Sequence, residues 1–313
     1  MSNESVPATG GSSTGGHFIG SYQDCPRKWY LQYELDIKPK WTGKALTYGL
    51  AWHKAIEEFY RHNLEHSTDD GYTIGYSSQC GLEAGFAVLA DAASHDRYQY
   101  LEDYETDRAR FPVMFSAWCL QIGTQILSQY RVLSLEETLN LELPNGFSFT
   151  GRLDELLCDR ETGAVMISEH KSTSFSLSQM ERSVFLGDQL PGYMALVKHC
   201  KPLIADKLQG CLLDVTYQRG KVVEARTSTL YYDASDLSRF LLNVTGVLNE
   251  LSQKISAVRE GVSDALLFPR NGLACSRFAC PYEPICRCYA DRSMDLPATL
   301  EHGKTAYDAE VKE

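Results

Sequence analysis

Residues 147–173, FSFTGRLDELLCDRETGAVMISEHKST, constrain this chain more than any other stretch. Two apolar-rich runs flank a polar turn, the pattern of paired strands. Each run carries an acid where a half-buried strand would hold a valine: Asp154 in the first and Glu169 in the second, with Lys171 just beyond. With the turn centred on Glu161 and Thr162, opposing residues have numbers that sum to 323, so Asp154 and Glu169 face one another. Side chains alternate along a strand, so Lys171 shares their face. Opposed like charges ~5 Å apart are destabilising without something positive between them. From charge alone the patch suits a solvated sheet face, where all three groups stay wet. The alternative is a divalent cation held by hard oxygen ligands, Mg²⁺ or Mn²⁺. Leu153, Leu156 and Leu157 on one side and Met166 and Ile167 on the other point to the end of a buried sheet, and so to the cation.

The period of the apolar residues changes along the chain. A helix is predicted from near Ser21, interrupted at Pro26 and resuming through Trp29 and Leu31. Apolar residues at 52, 55, 56, 59, 60 and 64 give the next segment a helical period, and the same spacing continues to residue 131. Then EETLNLELP, NG and FSFTGRLDELL read as strand, hairpin turn and strand, and AVMISEHKS as a third strand. GDQLPGYMALVKHC predicts a helix with Asp188 as N-cap and Pro191 in its first turn. Two strands meeting at Arg219-Gly220 and a long amphipathic helix follow. The expected fold class is α/β: a mixed sheet core over about 132–260, a helical insertion at about 45–131 and a Cys-rich segment at 269–290. These form one domain, 18–293, between a flexible lead (1–17) and a flexible tail (294–313).

A net charge of −11 argues, taken whole, against a nucleic-acid partner. The charge is uneven: residues 51–110 hold twelve Asp/Glu against five Lys/Arg, whereas 270–290 hold three Arg and one Glu. Averages hide such patches, so the total does not exclude DNA. No run approaches the ~20 apolar residues of a membrane span. The N-terminus lacks the basic and apolar regions of a signal peptide, and the expectation is a cytoplasmic protein without membrane partners. Cys80, Cys119, Cys158, Cys200 and Cys211 stand singly and read as buried reduced thiols. Cys275, Cys280, Cys286 and Cys288 crowd into fourteen residues, which is a different pattern.

The acidic stretch resembles the PD-(D/E)XK nuclease superfamily, whose mark is an Asp on one strand and Glu/Asp-x-Lys on the next. Here these are GRLDEL and EHK. Within it the chain is most similar to RecB-like nucleases, including CRISPR-associated and phage-encoded exonucleases. GLAWH supplies Gly49 and His53 of their Gly-x3-His motif, and QLPGY supplies Gln189 and Tyr193 of Gln-x3-Tyr, on one helical face. Each motif alone is weak, since a lone His on an amphipathic helix is more often structural. All of them in order across 49–193 are strong.

The resemblance implies a restriction-endonuclease-like fold. It implies that His53, Asp154, Glu169 and the backbone carbonyl of His170 hold one or two divalent ions, Mn²⁺ or Mg²⁺. The metal would polarise the scissile phosphate and lower the pKa of a bound water. Lys171 would orient that water or stabilise the transition state, with Gln189 and Tyr193 contacting the DNA strand or the Lys171 neighbourhood. The implied activity is a DNA exonuclease acting on ends or single strands. It would serve recombination, repair, phage DNA processing or CRISPR adaptation, alongside proteins of those pathways. The rivals are a non-cleaving iron–sulfur DNA-binding subunit and a ribonuclease or nicking enzyme with the same metal chemistry.

RecB-like nucleases of the iron–sulfur type use one cysteine before the core and three after it. Cys25, Cys275, Cys280 and Cys286 match that arrangement, with a longer first gap than the usual Cys-x2-Cys-x5-Cys and with Cys288 as a competitor for Cys286. Four thiolates suit a 4Fe–4S cubane or tetrahedral Zn²⁺, and reduced thiols without metal are the third reading. The tail has no tight Cys-x2-Cys pair, which favours the cubane. Arg27, Lys28, Arg270, Arg277 and Arg287 would give a basic rim, where Trp29, Tyr30 and Phe278 either stack on bases or simply pack.

Overall fold

Three strands with long buried runs form the centre of a five-stranded sheet. The computed structural model describes residues 15–39, 44–66, 74–95, 98, 100–277, 280–283, 285–286 and 307–309. Helices α1 (Gly16–Asp24) and α2 (Pro26–Trp29) and strand β1 (Ile37–Pro39) come first. Then follow α3 (Lys44–His66), α4 (Ile74–Ser94), α5 (Leu101–Trp118) and α6 (Thr124–Gln129). The sheet strands are β2 (Tyr130–Glu142), β3 (Ser148–Asp159) and β4 (Val165–Thr173). After α7 (Leu177–Leu186), α8 (Gln189–Cys200) and α9 (Pro202–Ala205) come β5 (Leu208–Arg219) and β6 (Val222–Leu230). The chain continues with α10 (Ala234–Arg259), α11 (Asp264–Leu267), α12 (Gly272–Arg277) and β7 (Tyr307–Ala309).

Strands β2 to β6 form a five-stranded sheet in sequence order. The β3/β4 pair is antiparallel, with Glu155 opposite Ser168 and Leu156 opposite Ile167, the register predicted from the turn. That turn is set by local chemistry: Asp159 Oδ1 accepts the N–H groups of Glu161 and Thr162 at 3.0 and 2.8 Å. Gly163 then supplies the left-handed backbone, φ 70°. Strand β5 runs parallel to β4, which requires the crossover carried by α7 to α9. Strand β6 pairs antiparallel with β5 at the open edge of the sheet, and its burial alternates as one wet face demands. This is the expected mixed α/β, restriction-endonuclease-like core.

The chain divides into two compact units. The larger comprises Thr42–Leu139 and Gly151–Ser238. One core there joins Trp52, Phe59, Phe111, Phe115 and Trp118 of the helical insertion to Leu157, Met166 and Leu212 of the sheet. Helix α4 packs closely on α3: a Cβ added to Gly81 would stand 2.5 Å from the Ala55 carbonyl oxygen. The second unit comprises Met1–Trp41, Asn140–Thr150 and Arg239–Glu313. Its aromatic centre stacks Tyr30 and Trp29 on Phe268, with ring centroids 4.6 and 5.7 Å apart. A neighbouring cluster gathers Leu31, Ile37, Tyr282, Ile285 and Cys286, and β1 pairs antiparallel with β7.

Three local features differ from the sequence expectation. The helical insertion ends at Gln129, after a π-helical turn over Cys119–Gly123, so β2 begins at Tyr130. Asp188 sits at the start of α8 but makes no side-chain cap bond, its own backbone being nearly helical (φ −89°, ψ −4°). Helix α7 has no counterpart in the sequence expectation, although Ser176 and Gln179 form a capping box, the S-x-x-Q signal of a helix start. Among the described residues no helix is long and apolar enough to cross a membrane.

Candidate active site

Strand β4 positions the site because alternation sends Glu169 and Lys171 to one face and Ser168 and His170 to the other. On the first face Asp154 Oδ2 accepts the backbone N–H of His170 at 3.0 Å. Its Oδ1 lies 3.2 Å from Nδ1 of His53 on α3. The Lys171 ammonium contacts Glu169 Oε1 directly. Gln189 Nε2, at the start of α8, donates to the same Glu169 oxygen at 2.9 Å and to the Tyr193 hydroxyl at 3.0 Å. The structure therefore brings His53, Asp154, Glu169, Lys171, Gln189 and Tyr193 into one cluster. Glu169 is fully buried, yet its Oε2 has no hydrogen-bond partner. Such an orphaned carboxylate oxygen, among a carboxylate and an imidazole, fits a divalent cation.

The charges are arranged accordingly. Burial opposes ionisation of Asp154, but His53, then His170 and Lys171, hold its carboxyl well below the usual range. Burial and the Asp154 charge push Glu169 the other way. Burial would strip the proton from Lys171, yet Glu169 and Asp154 raise its pKa, so the side chain stays cationic. For His53 likewise, Asp154 overrides burial and raises the pKa.

The opposite face of β4 carries a second polar group. His170 Nε2 contacts Glu155 at 2.7 Å, and its Nδ1 lies 3.2 Å from Asp214 Oδ2 on β5. All three are buried, beneath the Tyr60 and Trp118 rings. His170 thus reaches the acidic face through its backbone alone.

Within the smaller unit, Cys25, Cys275, Cys280 and Cys286 line one cavity of about 330 Å³, together with Lys28, Leu31, Arg270 and Tyr282. Burial pushes the Cys286 thiol up to about 11, against the pull of Arg27 and Arg270, with Cys25 and Cys275 near enough to raise it further. Four sulfurs converging on one cavity are a donor set for a thiolate-bound metal group. The basic and aromatic rim is corrected in part. Arg27 is 1% exposed and paired with Asp264 at 2.9 Å, while Trp29 and Tyr30 are buried against Phe268. Tertiary packing of α2 against 264–268 claims these side chains. Phe278, Arg287, Cys288 and the side chain of Arg277 lie outside the described residues.

A family model for the PD-(D/E)XK nuclease superfamily matches residues 19–287. The chain belongs to the PD-(D/E)XK nuclease superfamily. No curated protein matches it. Among solved structures it is similar to one titled "Crystal structure of SSO0001". That chain is 12% identical, with a TM-score of 0.28, and the match covers 62% of this chain and 84% of that one. As a member of the PD-(D/E)XK superfamily this protein is a metal-dependent nuclease.

Two features of this cluster are absent from the sequence expectation. Glu136 of β2 brings a carboxylate to His53 and Asp154, with ligand atoms of all three within 4.8 Å of one another. Burial, then the Asp154 charge, push its carboxyl up to about 7. No periodic signal could have found it, because the burial alternation of β2 lapses around that residue. The Glu155–His170–Asp214 group did leave a signal: polar residues set inside the apolar runs LDELL, MISEHK and CLLDV.

Proposed function

We propose that this nuclease is a RecB-like deoxyribonuclease of the iron–sulfur type, removing nucleotides from DNA ends or single strands. It would act in recombination, repair, phage DNA processing or CRISPR adaptation. The observation that carries this reading is the pair of hydrogen bonds donated by Gln189 Nε2, which joins the Glu169 carboxylate to the Tyr193 hydroxyl and so ties the Gln-x3-Tyr helix to the Glu-x-Lys strand. His53 at Asp154 adds the Gly-x3-His helix to the same cluster.

His53, Asp154, Glu169 and the carbonyl of His170 are the proposed metal donors. A bound Mn²⁺ or Mg²⁺ supplies Lewis-acid polarisation of the phosphate and a water of lowered pKa. Asp154 enters the reaction ionised, as its lowered pKa requires. Lys171, held cationic beside Glu169, is placed to donate to the attacking water or to a phosphate oxygen that gains charge in the transition state. Gln189 holds Glu169 in place, and Tyr193, kept neutral by burial and by Glu169, orients Gln189 in turn. The four cysteines around one cavity support a 4Fe–4S cluster as a structural staple. The complete Asp154, Glu169 and Lys171 set disfavours a non-cleaving DNA-binding subunit.

The test is incubation of the anaerobically purified chain with end-labelled single-stranded DNA, duplex DNA and RNA, in Mn²⁺, Mg²⁺ or EDTA, beside Lys171→Ala. Shortening of DNA from its ends, lost in EDTA and in the variant, is expected. Binding without cleavage would establish the non-cleaving subunit, and cleavage of RNA alone the ribonuclease. Full activity of Lys171→Ala would overturn the site assignment.

A further inference from the structure

Glu136 holds an unusual position for a strand residue. Its φ is 47°, in the left-handed region that favours glycine, and the alternation of buried and exposed positions lapses on either side of it. A local irregularity of this kind re-aims a side chain that regular pleating would send elsewhere. The carboxylate is turned to His53 and Asp154, where one atom from each of the three falls within 4.8 Å of the others. Arg152 Nε engages Glu136 Oε2 at 2.8 Å, but the Arg152 side chain is 61% exposed and neutralises the patch only from its rim.

A second observation points to a ligand in the same patch. Glu169, fully buried and close enough to Asp154 and His53 to feel both charges, keeps Oε2 without a hydrogen-bond partner. A buried carboxylate oxygen left unpaired is costly, and a cation removes the cost. The donor set expected from the superfamily resemblance leaves Glu136 out, although one of its carboxylate oxygens lies within 4.8 Å of ligand atoms of both His53 and Asp154.

We propose that Glu136 is a further protein ligand of the divalent-ion centre, completing with His53 and Asp154 a site for a hard cation, Mn²⁺ or Mg²⁺. One imidazole and two carboxylates suit either ion. The proposal rests on the metal-dependent reading of this site and extends it to a residue outside the nuclease motifs. The left-handed backbone delivers the Glu136 carboxylate to the patch, where glycine would meet the backbone requirement and deliver nothing.

The experiment is titration of the full chain, free of nucleic acid, with Mn²⁺ followed by electron paramagnetic resonance of the free ion, together with thermal unfolding in EDTA. Glu136→Gln keeps the shape and removes the charge; Glu136→Gly accepts the backbone conformation. Both variants should bind Mn²⁺ at least ~10-fold more weakly, the scale on which even outer-shell partners act. Both should melt in EDTA no earlier than the wild type, because a repulsive carboxylate has gone. Unchanged Mn²⁺ affinity in both, with affinity lost in Asp154→Asn, overturns the assignment of Glu136 and leaves the nuclease centre standing. A wild-type chain that binds no Mn²⁺ overturns both readings.

Discussion

The imidazole of His170 lies 2.7 Å from both carboxylate oxygens of Glu155, in the interior of the larger unit. Asp214 flanks it on the other side, and the backbone N–H of the same histidine donates to Asp154 on the opposite face. One residue thus joins a buried charge cluster to the acidic face of the sheet. Burial alone would neutralise this histidine, but Glu155 and Asp214 raise its pKa well above the ordinary value.

Removing the cation should leave two buried carboxylates facing one another. His170→Ala is expected to cost about 3–5 kcal/mol of unfolding free energy, the range for breaking a buried ion pair by losing one partner. Urea denaturation in EDTA measures it. A change under ~1 kcal/mol would show that the cluster contributes no more than an exposed pair.

Stability of the metal-free chain should fall as pH rises through neutrality. The folded pKa of Glu136, about 7, lies above its ordinary value of 4.5, so the native state holds the proton that the unfolded state has released. His53 acts with the same sign, its pKa raised by Asp154 against burial; its contribution is present below 6.5 and lost above the folded pKa. Asp154 has the opposite sign, but its contribution is lost only in acid, below its ordinary 3.8. Melting temperatures in EDTA should therefore decline between about pH 5 and pH 8, and Glu136→Gln should flatten the decline. A wild-type melting temperature that climbs across this window contradicts the charge arrangement.

Gln189 and Tyr193 are expected to separate. Gln189→Ala frees the Glu169 carboxylate and should lower Mn²⁺ affinity and cleavage roughly 10- to 100-fold. Tyr193→Phe removes only the acceptor behind Gln189, and a loss of a few-fold or less should follow. Equal losses in both would mean that the tyrosine hydroxyl has its own contact with the substrate.

The cysteine cavity predicts a brown protein containing iron and acid-labile sulfide after anaerobic purification. Serine at Cys25, Cys275, Cys280 or Cys286 should bleach it and lower its melting temperature, because a shared metal group would tie Cys25 to three cysteines far along the chain. Cys80→Ser should do neither. Bleaching by Cys288→Ser but not by Cys286→Ser would reassign the last ligand. A colourless chain holding stoichiometric zinc would remove the cluster and leave the acidic site untouched.

Much of the acidic site could be read from residues 149–173 because its causes are local. The Asp159 turn and Gly163 set the β3/β4 register, and alternation then fixes the faces of Asp154, Glu169 and Lys171. Gln189 and Tyr193 share a helical face for the same kind of reason. The rest depended on chain segments far apart. Asp214 reaches His170 because β5 adds in parallel beside β4, and Trp29 and Tyr30 are buried because Phe268 packs on them.

The sequence by itself determined the strand pair, its register, the three motif residues on one face and the spacing of the cysteines, since each follows from dihedral preferences and periodicity among neighbours. Only the tertiary structure decided what those residues meet. It turned Glu136 out of strand alternation toward Asp154, set His53 against the same carboxylate and converted Arg27, Trp29 and Tyr30 from candidate DNA contacts into core. The reason is physical: local geometry aims a side chain, but its partner is supplied by packing between segments whose separation along the chain carries no such preference.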